Sequence, residues 1–299
     1  MLRKTLIAAA GSCLLAGCVT HATCVSPLSK LQPAAAPPRA EHFKHVLIIV
    51  LENQDYRDVV ADPYFADLAS RGATFHSFQA LFHPSYPNYL AMVSGASIPT
   101  HGDRQVNVDY PTIGDSLKGD WANYAEGYPA GAGSCNLTSA KGKYVRRHVP
   151  FLSFVNVQHD SCRGIVPAER FAEDVRNGTL PSYAFYSPDL DHDGHDPVRD
   201  APLGLEKAKC WLQGFLEPLL RDDKFTSDTL TILTFDESEG HNPSNQILTV
   251  FLGKMVKRGV APGYYNHFNV LRTIEDNFGL PLLATGDREA LPIEGIWTN

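Results

Sequence analysis

The sequence predicts an α/β fold with a parallel or mostly parallel central sheet, and three observations carry that expectation. Apolar, strand-length runs at His45–Leu51 (HVLIIVL), Tyr183–Ser187 (YAFYS) and Thr229–Phe235 (TLTILTF) each lead into carboxylates. Helix-period segments alternate with them, as in βα units. At 299 residues, 43% hydrophobic and 20% charged, the chain is long enough for one large domain with a sizeable core. In an open parallel sheet the carboxyl ends of the strands share one edge, and ligands bind there. Glu52, Asp191, Asp236 and Glu237, distant in sequence, are therefore expected to converge.

The elements follow in order. Residues 64–70 have helical character, and 74–81, rich in Phe, read as a strand. A helix is expected from Pro87, since proline suits a first helical position. Residues 100–165 are rich in Gly, Asn and Tyr with little periodicity, and read as a long insertion over the sheet edge. Then come a helix over 168–176, the strand Tyr183–Ser187 and an amphipathic helix over 205–220, where Leu205, Ala208, Leu212, Phe215, Leu216 and Leu219 recur at helical spacing. Thr229–Phe235 and 246–252 read as buried strands, and His267–Phe278 as a helix stopped by Gly279 and Pro281.

The formal net charge of −7 offers no broad basic face and argues against a nucleic-acid partner. Arg3 and Lys4 precede a short apolar stretch, too short to span a bilayer, ending in Leu15-Ala16-Gly17-Cys18. That ending resembles the lipobox of bacterial lipoproteins, in which the signal is cut before the cysteine and the cysteine carries the lipid. The resemblance implies a signal peptide over 1–17, a lipid anchor at Cys18 and an exported protein, held at the outer membrane or periplasmic. A plain secretory signal is the alternative. Residues 18–43, with Pro and Ala repeated, read as an extended tether, leaving 44–299 as the folded domain. Export favours disulfides. Cys135 and Cys162 are the foremost pair; Cys24 with Cys210 stays open, because sequence does not fix connectivity.

Four segments carry chemistry. Glu52-Asn53 closes the first run: a carboxylate there can bind a hard cation, and an amide can donate to a phosphate oxygen. Ser85 lies between prolines in His83-Pro84-Ser85-Tyr86-Pro87, ahead of a helix whose amino end favours phosphate. Its alternative is a capping serine. Residues 188–196 are dense in Asp and His; Asp191 and His195, four apart, could share one ion. A calcium loop competes there but lacks the downstream bidentate Glu. Asp236-Glu237 closes the third run, with His241 and Asn242 following, and His267 opens a helix from which its ring could turn back to the same edge. Crowded carboxylates need an offsetting charge; a divalent metal of unknown identity with a phosphate ester is the candidate. His101, His148 and His159 rank well below these for direct catalysis.

Together, VLIIVLENQDY, HPSYPNYLAMVSG, DHDGHD, TFDESEG and NHFNVLRTIEDNFGL resemble the bacterial phosphoesterase family of acid phosphatases and phosphatidylcholine-type phospholipases C, within the alkaline phosphatase-like superfamily. The likeness runs from Lys44 to the C-terminus. It implies an alkaline phosphatase-like α/β/α sandwich, a metal held by Glu52, Asn53, Ser85, Asp236 and Glu237, and Ser85 as nucleophile. His195 and His267 would flank the phosphate, with Asp191 nearby; these three could build a second metal site or serve as phosphate binders and general acid. The chain departs from the family by carrying Gly and extra acids where relatives have Asn-Asp-Met-His, and Glu237 where some have Asp. It also lacks the further C-terminal length of the phospholipases C, which favours a phosphomonoesterase working through phosphoserine on a small phosphate ester. The alternatives are a diesterase of phospholipase C type and a non-catalytic metal-binding envelope lipoprotein.

Overall fold

A computed structural model describes residues 42–131, 135–195, 204–240 and 243–298. The signal and most of the tether, Cys18 and Cys24, and Asp196, His241 and Asn242 lie outside the described residues. Ten strands follow in chain order: β1 (His45–Leu51), β2 (Ala73–Phe78), β3 (Trp121–Ala125), β4 (Ala140–Lys141), β5 (Tyr144–Val145), β6 (Ile165–Pro167), β7 (Tyr183–Ser187), β8 (Thr229–Phe235), β9 (Thr249–Leu252) and β10 (Gly259–Tyr265). Eight form one sheet in the order β10-β2-β9-β8-β1-β7-β3-β6, while β4 and β5 make a small ribbon. All neighbours in the large sheet pair parallel except those of β9, which is antiparallel to both β2 and β8. Seven strands therefore point the same way, and their carboxyl ends share one edge.

The central strands explain themselves. β8 is buried along its whole length and β1 from Val46 onward. A parallel strand covered on both faces needs such an unbroken apolar run. The alternation within β7 shows the two covering layers. Phe185 meets Tyr89 of the helix Ser85–Ser94 and Phe151 on one face. Tyr186 meets Phe171 of the helix Glu169–Asn177, together with Trp211 and Phe215 of the helix Gly204–Arg221, on the other. Successive strand residues point to opposite faces, so helices flank the sheet on both sides. This is the expected α/β/α arrangement.

Several elements differ from the expectations. Residues 100–165 are not only an insertion: they supply β3, β4, β5 and the start of β6. WANYA carries no long apolar run, which is why periodicity missed β3. β10, with Gly259, Pro262 and Gly263, lies in a stretch to which the sequence assigns no element; it is an edge strand, where proline is tolerated. The strand expected over 246–252 is shortened to β9. The helix expected from Pro87 begins at Ser85, with Pro87 still in its first turn. Cys135 pairs with Cys162 as expected, whereas Cys210 is exposed and unpaired among the described residues.

One buried acid sets a pH dependence away from the sheet edge. Glu275, in the helix His267–Phe278, is fully buried and neither of its oxygens meets a donor. Burial first, then the Asp287 charge, pushes its carboxyl up to about 10. A carboxyl raised in the fold takes up a proton on folding, so its effect on stability is neutral below about 4.5, the unfolded value, and increasingly unfavourable as pH rises toward 10. Glu275→Gln keeps the shape and removes the titration. Its melting temperature at pH 8 should exceed the wild type's by several degrees, roughly 1–3 kcal/mol, and the gain should vanish near pH 4.5. Thermal melts of both proteins at the two pH values check this; an equal or lower Tm at pH 8 would contradict it.

Candidate active site

The sheet edge brings the expected residues together. Leu51 of β1 pairs in register with Phe235 of β8, and Asp236 N–H donates to the Leu51 carbonyl at 2.9 Å, which sets Glu52 beside Asp236. Ser85 is the first residue of its ten-residue helix. The loop before it is pinned by Asn88, whose Oδ1 accepts from Leu81 N–H and Phe82 N–H, each at 3.0 Å, and whose Nδ2 donates to the Phe82 carbonyl at 2.9 Å. The Ser85 hydroxyl then lies 3.1 Å from Glu52 Oε2, 3.0 Å from Asn53 Oδ1 and 3.0 Å from Glu237 Oε1. Asn53 adopts φ +43°, a left-handed conformation that Asn tolerates better than most residues, and its N–H donates to Asp236 Oδ1 at 3.0 Å.

The electrostatics are one-sided. Glu52, Ser85, Asp236 and Glu237 are all buried. A hydroxyl has one proton, so Ser85 satisfies only one of the three oxygens around it. The Asn53 amide oxygen also faces oxygens, 3.2 Å from Asp236 Oδ1 and 3.3 Å from Glu52 Oε2. Turning the amide so that its nitrogen points inward satisfies these contacts; a cation at their centre satisfies them as well. Burial first, then Asp236 and Asp193, holds the Glu52 carboxyl well above the usual range. Burial, then Glu237, lifts Asp236 to about 8, and burial lifts Glu237 to about 7. Five converging oxygens with surplus negative charge are the donor chemistry of a hard divalent cation, and the set fits one. The three carboxylates do not close on one another unaided: among the described residues only Glu126, Asp189 and His192 bring three ionisable ligand atoms within 4.8 Å. Ser85 Oγ and Asn53 Oδ1 stand between them and supply the other two oxygens of the set.

The histidines divide. His267 is buried against Phe78, with Nε2 3.0 Å from the Asp236 carbonyl, and burial lowers it to about 4. His195 is half-buried, and its N–H donates to Asp193 Oδ1 at 3.0 Å. Asp191 does not join the cluster, contrary to expectation. Its side chain is 40% exposed and pairs with Lys143 at 2.9 Å and Lys207 at 3.1 Å, which hold its carboxyl below the usual range. The turn after β7 is the reason. The Asp189 carbonyl accepts from both His192 and Asp193 N–H, which curls Asp191 outward and Asp193 inward. Asp193 is buried; its carbonyl accepts from Glu52 N–H at 2.7 Å, and its carboxylate lies 3.7 Å from His148 Nδ1.

His148, ranked low from the sequence, lies beside the cluster. It is buried, its Nε2 is 3.2 Å from Glu52 Oε1, and its ring stacks on Tyr89 at 5.2 Å. Neither ring nitrogen has a well-formed hydrogen bond. Burial, then Arg147 and His195, holds it well below the usual histidine range. Only its place ahead of the apolar Val149–Phe151 stretch marks it in sequence, and that is a weak signal. His83 also joins, with Nδ1 against Glu237 Oε2. The helix amino end offers less than expected: Tyr86 N–H is already given to Asp103 Oδ1 at 3.2 Å, and Pro87 has none. Among the first three helix residues, that leaves the Ser85 N–H, beside the neighbouring side chains, to receive an anion.

Residues 56–281 match the model of the Phosphoesterase family. The chain is 35% identical to a probable acid phosphatase of Kluyveromyces lactis over 92% of this chain and 70% of that protein. It is 32% identical to an acid phosphatase of Aspergillus fumigatus over 88% of this chain, spanning 59% of that relative's length. It is also 32% identical to a phosphatidylinositol-3-phosphatase of Mycobacterium tuberculosis, over 85% of this chain and 83% of the relative. Among solved structures, a protein in the alkaline phosphatase superfamily from Vibrio parahaemolyticus superposes with TM-score 0.59 at 12% identity, over 83% of this chain and 69% of that one, which supports the fold.

Proposed function

The chain belongs to the phosphoesterase family of phosphoric ester hydrolases, and from that premise we propose that it is a metal-dependent phosphomonoesterase working through a phosphoserine intermediate on Ser85. The carrying observation is the Ser85 hydroxyl, buried and ringed at 3.0–3.1 Å by Glu52, Asn53 and Glu237. Glu52, Asn53, Ser85, Asp236 and Glu237 would hold a divalent cation, whose charge would stabilise both an ionised serine and the phosphoryl oxygens. Ser85 Oγ passes its proton to a neighbouring carboxylate and attacks phosphorus in line; the bond from phosphorus to the ester oxygen breaks. His195, at the more open side, gives a proton to the departing alcohol. His267 is less suited to that task, because its Nε2 is engaged by the Asp236 carbonyl. His148 and His195 would hold the oxygens of the phosphoryl group carried on Ser85; water then attacks phosphorus, giving up a proton as the bond from phosphorus to Ser85 Oγ breaks and Oγ takes a proton back. The substrate is a small phosphate ester, with a phosphorylated lipid headgroup within the same chemistry. The Cys135–Cys162 disulfide supports the reading of an exported protein; the anchor at Cys18 rests on the lipobox-like Leu15-Ala16-Gly17-Cys18 alone.

The competing reading is a diesterase. Metal-loaded protein is expected to turn over p-nitrophenyl phosphate at least about 100-fold faster, in kcat/KM, than bis(p-nitrophenyl) phosphate, a difference of about 2.7 kcal/mol. Equal or faster diester cleavage would transfer the assignment to the phospholipase C type.

A further inference from the structure

Outside the Ser85 cluster, one group of buried and half-buried ionisable side chains has no part in the mechanism above. Glu126 follows β3 directly, so it sits on the same sheet edge. Its Oε1 accepts from Tyr186 Oη–H at 3.0 Å. Its Oε2 accepts from Asp189 N–H at 3.0 Å and from His192 Nδ1 at 2.7 Å. The His192 ring lies flat on Trp211, with centroids 5.6 Å apart and planes 13° apart. Asp189 Oδ1 accepts from Asp191 N–H at 2.9 Å, closing the turn.

That turn carries the next three residues into the active site. Asp193 accepts from Glu52 N–H through its carbonyl at 2.7 Å and from His195 N–H through its carboxylate at 3.0 Å. The Gly194 carbonyl accepts from Gln54 Nε2 at 2.7 Å. Behind it the chain is hemmed in: a Cβ on Gly204 would lie 2.0 Å from the Gly194 oxygen, so only glycine fits there. The loop is thus held from the active-site side by Glu52 and Gln54, and from the far side by Glu126.

We propose that Glu126 and His192 are positioning residues, a latch that fixes where His195 stands relative to the leaving oxygen. The inference rests on the proposed role of His195 as proton donor. A displacement of about 1 Å at such a donor costs up to about 100-fold in rate. The loss should depend on the leaving group, because a good leaving group needs little protonation. Fold support alone predicts no such dependence.

The test uses the full-length, metal-loaded protein with two esters. Glu126→Ala should lower kcat/KM for phenyl phosphate about 10- to 100-fold, and for p-nitrophenyl phosphate by less than about threefold. His192→Phe, which keeps a ring on Trp211, should behave like Glu126→Ala; His192→Asn, whose amide nitrogen replaces Nδ1, should restore most of the rate. In a His195→Ala background, Glu126→Ala should add no further loss, since both changes remove one function. Equal losses on the two esters, or losses that add in the double variant, overturn the latch. Should the wild type turn over neither ester, the reading of the site fails on its own account. The same cycle on the Kd for inorganic phosphate then decides the latch, non-additive in its favour and additive against it.

Discussion

Ser85→Ala is expected to lower phosphate release from p-nitrophenyl phosphate by on the order of 1,000-fold or more. The substitution removes a single atom, and that atom is the one on which Glu52, Asn53 and Glu237 converge. Everything else in the cage stays: Glu52, Asp236 and Glu237 keep their strand-end positions, and Asn53 keeps its N–H bond to Asp236 Oδ1. Metal content measured by elemental analysis should therefore remain at or near the wild-type value, and the melting temperature should not fall. Removing one hydroxyl loses little packing, and in the metal-loaded protein the cation satisfies the carboxylate that the hydroxyl had served. Turnover within about tenfold of wild type, with metal still bound, would mean that water attacks phosphorus directly and that the serine is only a ligand. Quenched reactions on the wild type give an independent reading: a phosphorylated peptide containing Ser85 should be trapped at low pH.

Chelation should be as damaging. Dialysis against EDTA is expected to reduce turnover by on the order of 1,000-fold, with recovery on adding back a divalent cation. Stability should move in the same direction. A cation that binds only the folded chain stabilises it by about 2.7 kcal/mol at 100 times its Kd. Its loss leaves Glu52, Asp236 and Glu237 buried together, with protons and a few neighbouring donors in place of a double positive charge. Asp236→Asn should reproduce part of this, lowering metal occupancy and activity together. Full activity in the presence of excess chelator, with the metal shown to be gone, would remove the cation from the mechanism and leave the histidines to carry it.

How much of this could be read from the residues alone depended on how local the cause was. β1 and β8 are unbroken aliphatic runs because both faces of a central parallel strand are covered, and that constraint is written in consecutive residues. Their endings, Glu52-Asn53 and Asp236-Glu237, were found for the same reason. Ser85 stood out because two prolines frame it. The reversed β9 and the Gly- and Pro-containing β10 were missed or misplaced, since strand direction and edge pairing are decided by partners far away in the chain. Asp191 was chosen over Asp193 by counting to His195. The choice is made instead by a turn, in which one carbonyl accepts two N–H groups and swings alternate side chains outward. His148 was ranked low because only the short apolar stretch after it marks it in sequence; stacking on Tyr89 and proximity to Glu52 are contacts of the folded chain alone.

The seven co-directed strands have a consequence for how freely this protein can vary. Every reactive group hangs from the rim where those strands finish, so the opposite rim, with Gly72 ahead of β2, Gly178 to Pro181 ahead of β7 and Asp228 ahead of β8, answers only to folding. Lengthened loops, fused modules or attachment to a support at the corners ahead of β7 and β8 are separated from the chemistry by the length of the strands. Evolution and engineering alike can rebuild one pole of the molecule while the other keeps working.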